Sequence, residues 1–283
     1  MYAVSPLRYP GAKWRLDSFV DALIRDNGLV GGHYAEPYAG GASLALSMLF
    51  RGGVSQIHLN DYDRSVWAFW KSATEHSGEL IARVREAKMT IDEWHVQREI
   101  QTTKQSQSII DLGFSTFYLN RTNRSGILTA GVIGGKDQRG PWKLDARFNK
   151  TNLIERLQRI AKHKSQIHVT RLDALTFTKR RSSTLPKKSL VYLDPPYYVK
   201  GQELYMNAYG EGDHAAVAEA VRHELQLPWI VSYDDVPQIR SLYSAVHRTS
   251  YMLRYSASST RKGRELIFAR PGLKIRPELL IGA

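Results

Sequence analysis

Asp194, Pro195, Pro196 and Tyr197 follow directly on the apolar run Leu190-Val191-Tyr192-Leu193. The run reads as a buried parallel strand, and the two prolines stop it, since neither has an N–H and the first holds Asp194 extended. A carboxylate, outward-facing carbonyls and an aromatic ring then project from the carboxyl end of a strand, where open α/β sheets bind their ligands. That set suits alkylation of an exocyclic amine. Such a nitrogen is a poor nucleophile because its lone pair is delocalised into the heterocycle. If Asp194 and the Pro195 carbonyl accept its two hydrogens, the lone pair localises and is aimed at a sulfonium methyl, with Tyr197 stacked on the ring. Taken alone, the four residues read equally well as a strand followed by a proline-rich turn with a solvated acid.

The elements that must position this set are legible upstream. Residues 8–13, RYPGAK, precede an amphipathic helical pattern, Leu16, Phe19, Val20, Leu23 and Ile24, that ends at Gly28. A short strand at Tyr34-Ala35 enters the loop Glu36-Pro37-Tyr38-Ala39-Gly40-Gly41-Ala42, and Ser43 to Phe50 is helix-forming up to Gly52-Gly53. Such a strand, glycine-rich turn and helix offer close backbone approach and free N–H groups to a ligand. Ile57 to Leu59 is a second strand, ending in Asn60-Asp61. An acid at its tip can bond ribose hydroxyls, and Asp61 or Asp63 can equally cap a helix from Arg64. From residue 66 to 150 the alternation gives way to helical stretches, among them Ile109 to Leu119. After that stretch come Asn120-Arg121-Thr122-Asn123-Arg124 and a glycine-rich basic segment, Gly131 to Trp142, with Lys136 and Arg139. Turn formers interleaved with Arg, Lys, Asn and Gln suit a loop or hairpin that follows phosphates and reads base edges. A basic helix over 151–163 and a strand at Ile167 to Val169 lead to Asp173, and residues 179–188 read as a mobile connection. Asp213 reads as a helix cap, and the last strands fall at 229–233 and 264–269, with 251–256 pairing beside them.

The RYPGAK stretch, with Ala12 in place of a glycine, the EPYAGGA loop, Asn60-Asp61, Asn120-Arg121-Thr122 and the DPPY box together resemble the Dam-like, D12 class of N6-adenine DNA methyltransferases. The resemblance implies an α/β, Rossmann-like, S-adenosylmethionine-dependent core over 1–65 and 151–283. Between the halves it implies an inserted, mainly helical target-recognition domain over 66–150. It implies cofactor contacts from Tyr9, Lys13, Glu36, Pro37, Tyr38, Gly40, Ala42, Asp61 and Asp173, and catalysis by Asp194, Pro195, Pro196 and Tyr197. DNA contacts are expected from Asn120, Arg121, Asn123, Arg124, Lys136 and Arg139. The implied partners are S-adenosylmethionine and double-stranded DNA with its adenine flipped from the stack, with a restriction nuclease as one companion such enzymes have; no metal is implied. Adenine in RNA as the substrate, or a DNA-binding protein with a decayed core, are the alternatives.

Composition agrees with a polyanionic partner. The 283 residues carry a net charge of +13. Residues 97–150 hold nine Lys or Arg against four acids and 151–188 hold ten against two, so the whole excess lies in that span. Solvated helix faces are the plainer account of the same excess. No apolar run approaches the roughly 20 residues that cross a bilayer, the amino terminus lacks a signal pattern, and a cytoplasmic protein is expected. The absence of cysteine excludes disulfides and thiolate metal sites, and the nine histidines show no metal-ligand spacing.

Overall fold

The computed structural model describes residues 4–8, 13–198, 209–255 and 261–280. The chain forms two compact units. The first holds Met1–Ala12 and Asp63–Arg171, and the second holds Lys13–Tyr62 and Leu172–Ala283.

The second unit is built on a mixed sheet. Its strands are β1 (His33–Glu36), β2 (Gln56–Asn60), β4 (Ser189–Leu193), β5 (Trp229–Asp234), β6 (His247–Tyr255) and β7 (Arg261–Ala269). They lie in the order β2-β1-β4-β5-β7-β6. The first four are mutually parallel, and β7 is antiparallel to both β5 and β6. Ser189–Leu193 is buried at every position, as a central strand covered on both faces requires. The helices of this unit are α1 (Asp17–Asp26), α2 (Ser43–Phe50), the single turn α8 (Ala174–Thr176), α9 (Glu211–Glu219) and α10 (Pro237–Leu242). Val191, Leu193, Trp229, Val231 and Phe268 pack with Val217, Val221 and Ile239 in a continuous core. The side chain of Asp213 accepts from the Gly210 N–H at 2.9 Å in the first turn of α9, so the helix begins ahead of the residue expected to cap it. Residues Phe177–Arg181 and Ser182–Thr184 are helical turns with Phe177 and Ser182 buried, where the sequence suggested a mobile connection. Phe177 anchors them.

The first unit is helical: α3 (Arg64–Glu75), α4 (Ser77–Glu86), α5 (Ile91–Thr102), α6 (Ile109–Thr122) and α7 (Lys150–Lys162), closed by strand β3 (Ile167–Thr170). Side-chain caps start four of the five: Asp63, Thr90, Ser108 and Asn149 each accept a backbone N–H from the first turn. Helix α6 is buried continuously from Leu112 to Thr122, among α3, α4 and α5. Close approach to α3 demands Gly113, where a Cβ would stand 2.2 Å from Ser72 Oγ and 2.7 Å from the Ala68 carbonyl oxygen. The basic helix α7 and β3 fall in this unit, whereas the sequence placed them with the core. The buried stripe Leu153, Leu157 and Ile160 gives the reason, for α7 packs on α3 and α4.

Candidate active site

The carboxyl ends of β1, β2 and β4 carry the expected groups of the second unit. At the tip of β4, Asp194 is one-fifth exposed while Tyr197 is buried. The Asp194 Oδ1 atom accepts from Ser232 Oγ at 2.5 Å and lies 3.3 Å from Lys13 Nζ. Ser232, on β5, is itself 2.8 Å from the Tyr192 hydroxyl. Both partners thus converge on one oxygen. Among the described residues no donor meets Asp194 Oδ2 or the Pro195 carbonyl oxygen. Burial raises the Asp194 carboxyl above the ordinary range; Lys13 opposes the shift and the negative charge of Glu265 adds to it.

Behind Asp194 sits a group that sequence reasoning missed. Glu265 on β7 is fully buried. It accepts from the Tyr197 hydroxyl and, at 3.1 Å, from Lys13 Nζ, which also donates to the Tyr197 hydroxyl at 2.5 Å. Its only signal in the sequence is one acid at the head of the apolar run Leu266-Ile267-Phe268. Ser232 gave no signal at all. Lys13, expected at the cofactor, is placed here beside Asp194, on the single helical turn that precedes α1. The Tyr198 N–H donates to Asp234 Oδ1 at 2.9 Å and holds the end of the proline loop.

The loop after β1 is pinned from below. Asn60, fully buried, donates to the carbonyls of Pro37 at 3.0 Å and Leu172 at 2.9 Å, and accepts from the Leu172 N–H at 2.9 Å. Beside it, Asp61 Oδ2 accepts from the Gly40 N–H at 2.9 Å. Gly40 and Ala42 both have φ of +45°; Ala42 supplies no side-chain cap to α2, and the Glu36 carboxyl accepts from the Ala45 N–H in its first turn. Glu36, at the end of β1, is buried and its carboxyl is pushed up to about 8, first by burial and further by the charge of Asp194. The Tyr38 hydroxyl is 2.9 Å from that of Tyr209. Asp173 caps α8 through the N–H groups of Leu175 and Thr176, the turn role the sequence also allowed. Tyr9 lies outside the described residues. The cradle fits S-adenosylmethionine in its donor set: a buried acid, Glu36, at the end of β1 and a second acid, Asp61, beside a left-handed glycine turn.

In the first unit the expected DNA contacts divide into three kinds. Asn120 and Asn123 are buried braces. Asn120 joins the backbone of Arg8 to the Gly126 carbonyl, and Asn123 joins Trp94 Nε1 to the carbonyls of Ile127 and Leu128. Arg124, Lys136 and Arg139 are exposed, as is Trp142 at 67%. Gln138 builds the segment that carries the last three, donating to the carbonyls of Ile133 and Gly135 and accepting from the Leu144 N–H. Arg121 is only 8% exposed, and its Nε has no hydrogen-bond partner. Burial, and then the charges of Arg156, Arg8 and Arg147, push its guanidinium down to about 9. An arginine resists giving up its proton, so Arg121 stays charged against its burial and three like-charged neighbours.

A search of the curated proteins found no match. Among solved structures the chain is similar to the rRNA methyltransferase AviRa from Streptomyces viridochromogenes, at 14% identity over 95% of this chain and 90% of that one, with a TM-score of 0.43. It is also similar to the methyltransferase yhhF from Escherichia coli, at 12% identity over 94% and 90%, with a TM-score of 0.36. The family match is far broader in meaning: D12 class N6 adenine-specific DNA methyltransferase, over residues 9–256. That match spans most of the sequence, so the chain belongs to the D12 class of N6 adenine-specific DNA methyltransferases, and its mixed sheet flanked by helices has the Rossmann-like fold of S-adenosylmethionine-dependent methyltransferases.

Proposed function

We propose that this enzyme methylates N6 of adenine in duplex DNA, at a sequence selected by its helical unit, on a base flipped out of the stack. The observation that carries the reading is the Asp194 carboxylate, with Oδ1 engaged by Ser232 and Lys13 and Oδ2 met by no donor among the described residues. Oδ2 and the Pro195 carbonyl accept the two N6 hydrogens, drawing the lone pair out of the ring, and Tyr197 stacks on the base. Bound S-adenosylmethionine supplies an electrophilic sulfonium methyl. Transfer of that methyl would leave N6 positively charged, and Asp194 or water would take the proton it sheds. Asp194 suits that proton, because burial already raises its carboxyl.

Glu36, Pro37, Tyr38, Gly40, Ala42 and Asp61 hold the cofactor in this reading. Arg124, Lys136 and Arg139 meet DNA, while Asn120 and Asn123 hold the loop that presents them. Arg121, with Arg8, Arg147 and Arg156 around it and no carboxylate paired with it, takes a phosphate. Flipping costs a few kcal/mol of unstacking, which phosphate contacts offset. The test is to incubate the protein with unmethylated duplex DNA and S-adenosylmethionine, digest to nucleosides and detect by mass, while mapping modified positions by sequencing. N6-methyladenine at one short sequence is expected. N4-methylcytosine, or modification of RNA alone, overturns the reading; N6-methyladenine without sequence preference removes the role given to the helical unit.

A further inference from the structure

We propose that Glu265 is a positioning residue for methyl transfer, fixing the Tyr197 ring and the Lys13 ammonium from the strand behind them. The proposal rests on the catalytic reading of Asp194 and Tyr197 given above. Three observations carry it. Glu265 is fully buried, and a carboxylate in that place is costly unless paired. Its two oxygens are divided between the two groups, Oε1 taking the Tyr197 hydroxyl and Oε2 the Lys13 ammonium. Lys13 in turn reaches Asp194 Oδ1, so one chain of contacts runs from β7 to the oxygen whose neighbour faces the base.

Strand stability does not explain the choice of residue. The next residues of β7, Leu266, Ile267 and Phe268, are apolar and buried, and an apolar residue at 265 would continue the core without a charge. What Glu265 adds is geometry and charge. A tyrosine held at its hydroxyl cannot rotate or tilt when a base is pressed on its ring. The negative charge of Glu265 also favours the positive charge that develops on the alkylated nitrogen.

The substitution Glu265→Gln keeps the shape and an oxygen for Tyr197 but removes the charge. We expect its affinity for S-adenosylmethionine, measured by calorimetry, to stay within about two-fold of the parent, and kcat on unmethylated plasmid DNA to fall by ten-fold or more with little change in KM, as for misplacement of a reacting group. The pH profile separates positioning from mere packing. Asp194 is faced by Lys13, Ser232, Glu265 and Tyr192, with Glu36, Tyr34 and Tyr233 also within electrostatic reach. Since the Glu265 charge raises Asp194, its removal must move the acid limb of kcat to lower pH. Tyr197→Phe, which removes only the hydroxyl held by Glu265, should lower kcat without moving that limb, and the two substitutions together should lose less than the product of their separate losses. Unchanged kcat in Glu265→Gln, an unmoved acid limb or full additivity overturns the proposal. If Glu265→Gln fails to fold, Tyr197→Phe decides, and normal kcat there overturns it. Near-normal turnover in Asp194→Ala would instead remove the catalytic reading on which the proposal stands.

Discussion

Asp194 and Asp61 lie at the tips of two strands of one sheet, and each has a neighbour that fixes one of its oxygens: Ser232 and Lys13 for the first, the Gly40 N–H for the second. Their losses should therefore separate. We predict that Asp194→Ala binds S-adenosylmethionine normally and loses methylation by about a hundred-fold or more, since it removes an acceptor used as charge develops. Asp61→Ala should weaken cofactor affinity by about ten-fold, the loss of a charged hydrogen bond and of the contact that holds the glycine turn. Calorimetric titration alongside single-turnover methylation checks both; intact affinity in Asp61→Ala would remove its assignment. Ser232→Ala removes the 2.5 Å hydrogen bond at Asp194 Oδ1 and leaves Lys13 there, and kcat should fall by about ten-fold with cofactor affinity unchanged, measured under the same conditions.

At the scale of elements, α6 ends where the basic segment begins. Arg121 occupies the last turn of α6, Arg156 lies on α7, and Arg8 and Arg147 come from the segments before α1 and before α7. Four elements of one unit are held with like charges in proximity. In free protein this arrangement opposes folding, and the phosphate contact proposed for Arg121 would relieve it. We predict that Arg121→Met raises the melting temperature of the free protein by a few degrees while lowering DNA affinity by at least about ten-fold. A destabilised variant with normal DNA affinity would show that Arg121 is a structural residue. Trp142 is exposed on the segment braced by Gln138 that also carries Lys136 and Arg139. Trp142→Ala should weaken DNA binding by about ten-fold, as for loss of one base-stacking contact, and leave stability unchanged.

For the whole molecule, charge sets both partner affinity and the response to pH. The excess of Lys and Arg over residues 97–188 predicts that DNA affinity falls steeply with salt, with a slope set by the number of phosphates neutralised. Affinity insensitive to salt would leave the excess as a solvated face. Stability without cofactor should fall as pH rises. Glu36 has its carboxyl raised from an ordinary 4.5 to about 8 in the folded protein, so between those values the folded state holds a proton that the unfolded chain has released. The stability it contributes is present below pH 4.5 and is lost as pH climbs through 8. Asp194, raised by burial, acts in the same direction. Asp26, Asp111 and Asp235, held low by arginine or serine hydrogen bonds, act oppositely, and their contribution is lost only on acidification. Denaturant titrations of the parent and of Glu36→Gln across pH 5–9 check this, and the slope should shrink in the variant. Among the described residues no helix is long and apolar enough to cross a membrane.

The chemistry was local, and local chemistry is what a sequence carries. Asp194 to Tyr197 stop a strand by proline sterics, Glu36 to Ala42 make a turn by glycine, and Asp63 caps a helix, each within a few residues of its cause. The buried strand Leu190 to Leu193 and the helix at Ile109 were legible for the same reason, since apolar runs and periods need no partner to be recognised. Whatever depends on a partner distant in sequence was decided by tertiary structure alone. Asn120 reads as polar and available, yet the backbone of Arg8, 112 positions away, takes up its amide. Arg121 reads as a surface cation and is buried among three others because α6 runs on to Thr122 through the packed interior of its unit. Ser232 and Glu265 carry no motif. They meet Asp194, Tyr197 and Lys13 only because β5 lies beside β4 and β7 beside β5, and the order of strands in a sheet is set by packing among distant segments rather than by any residue within them.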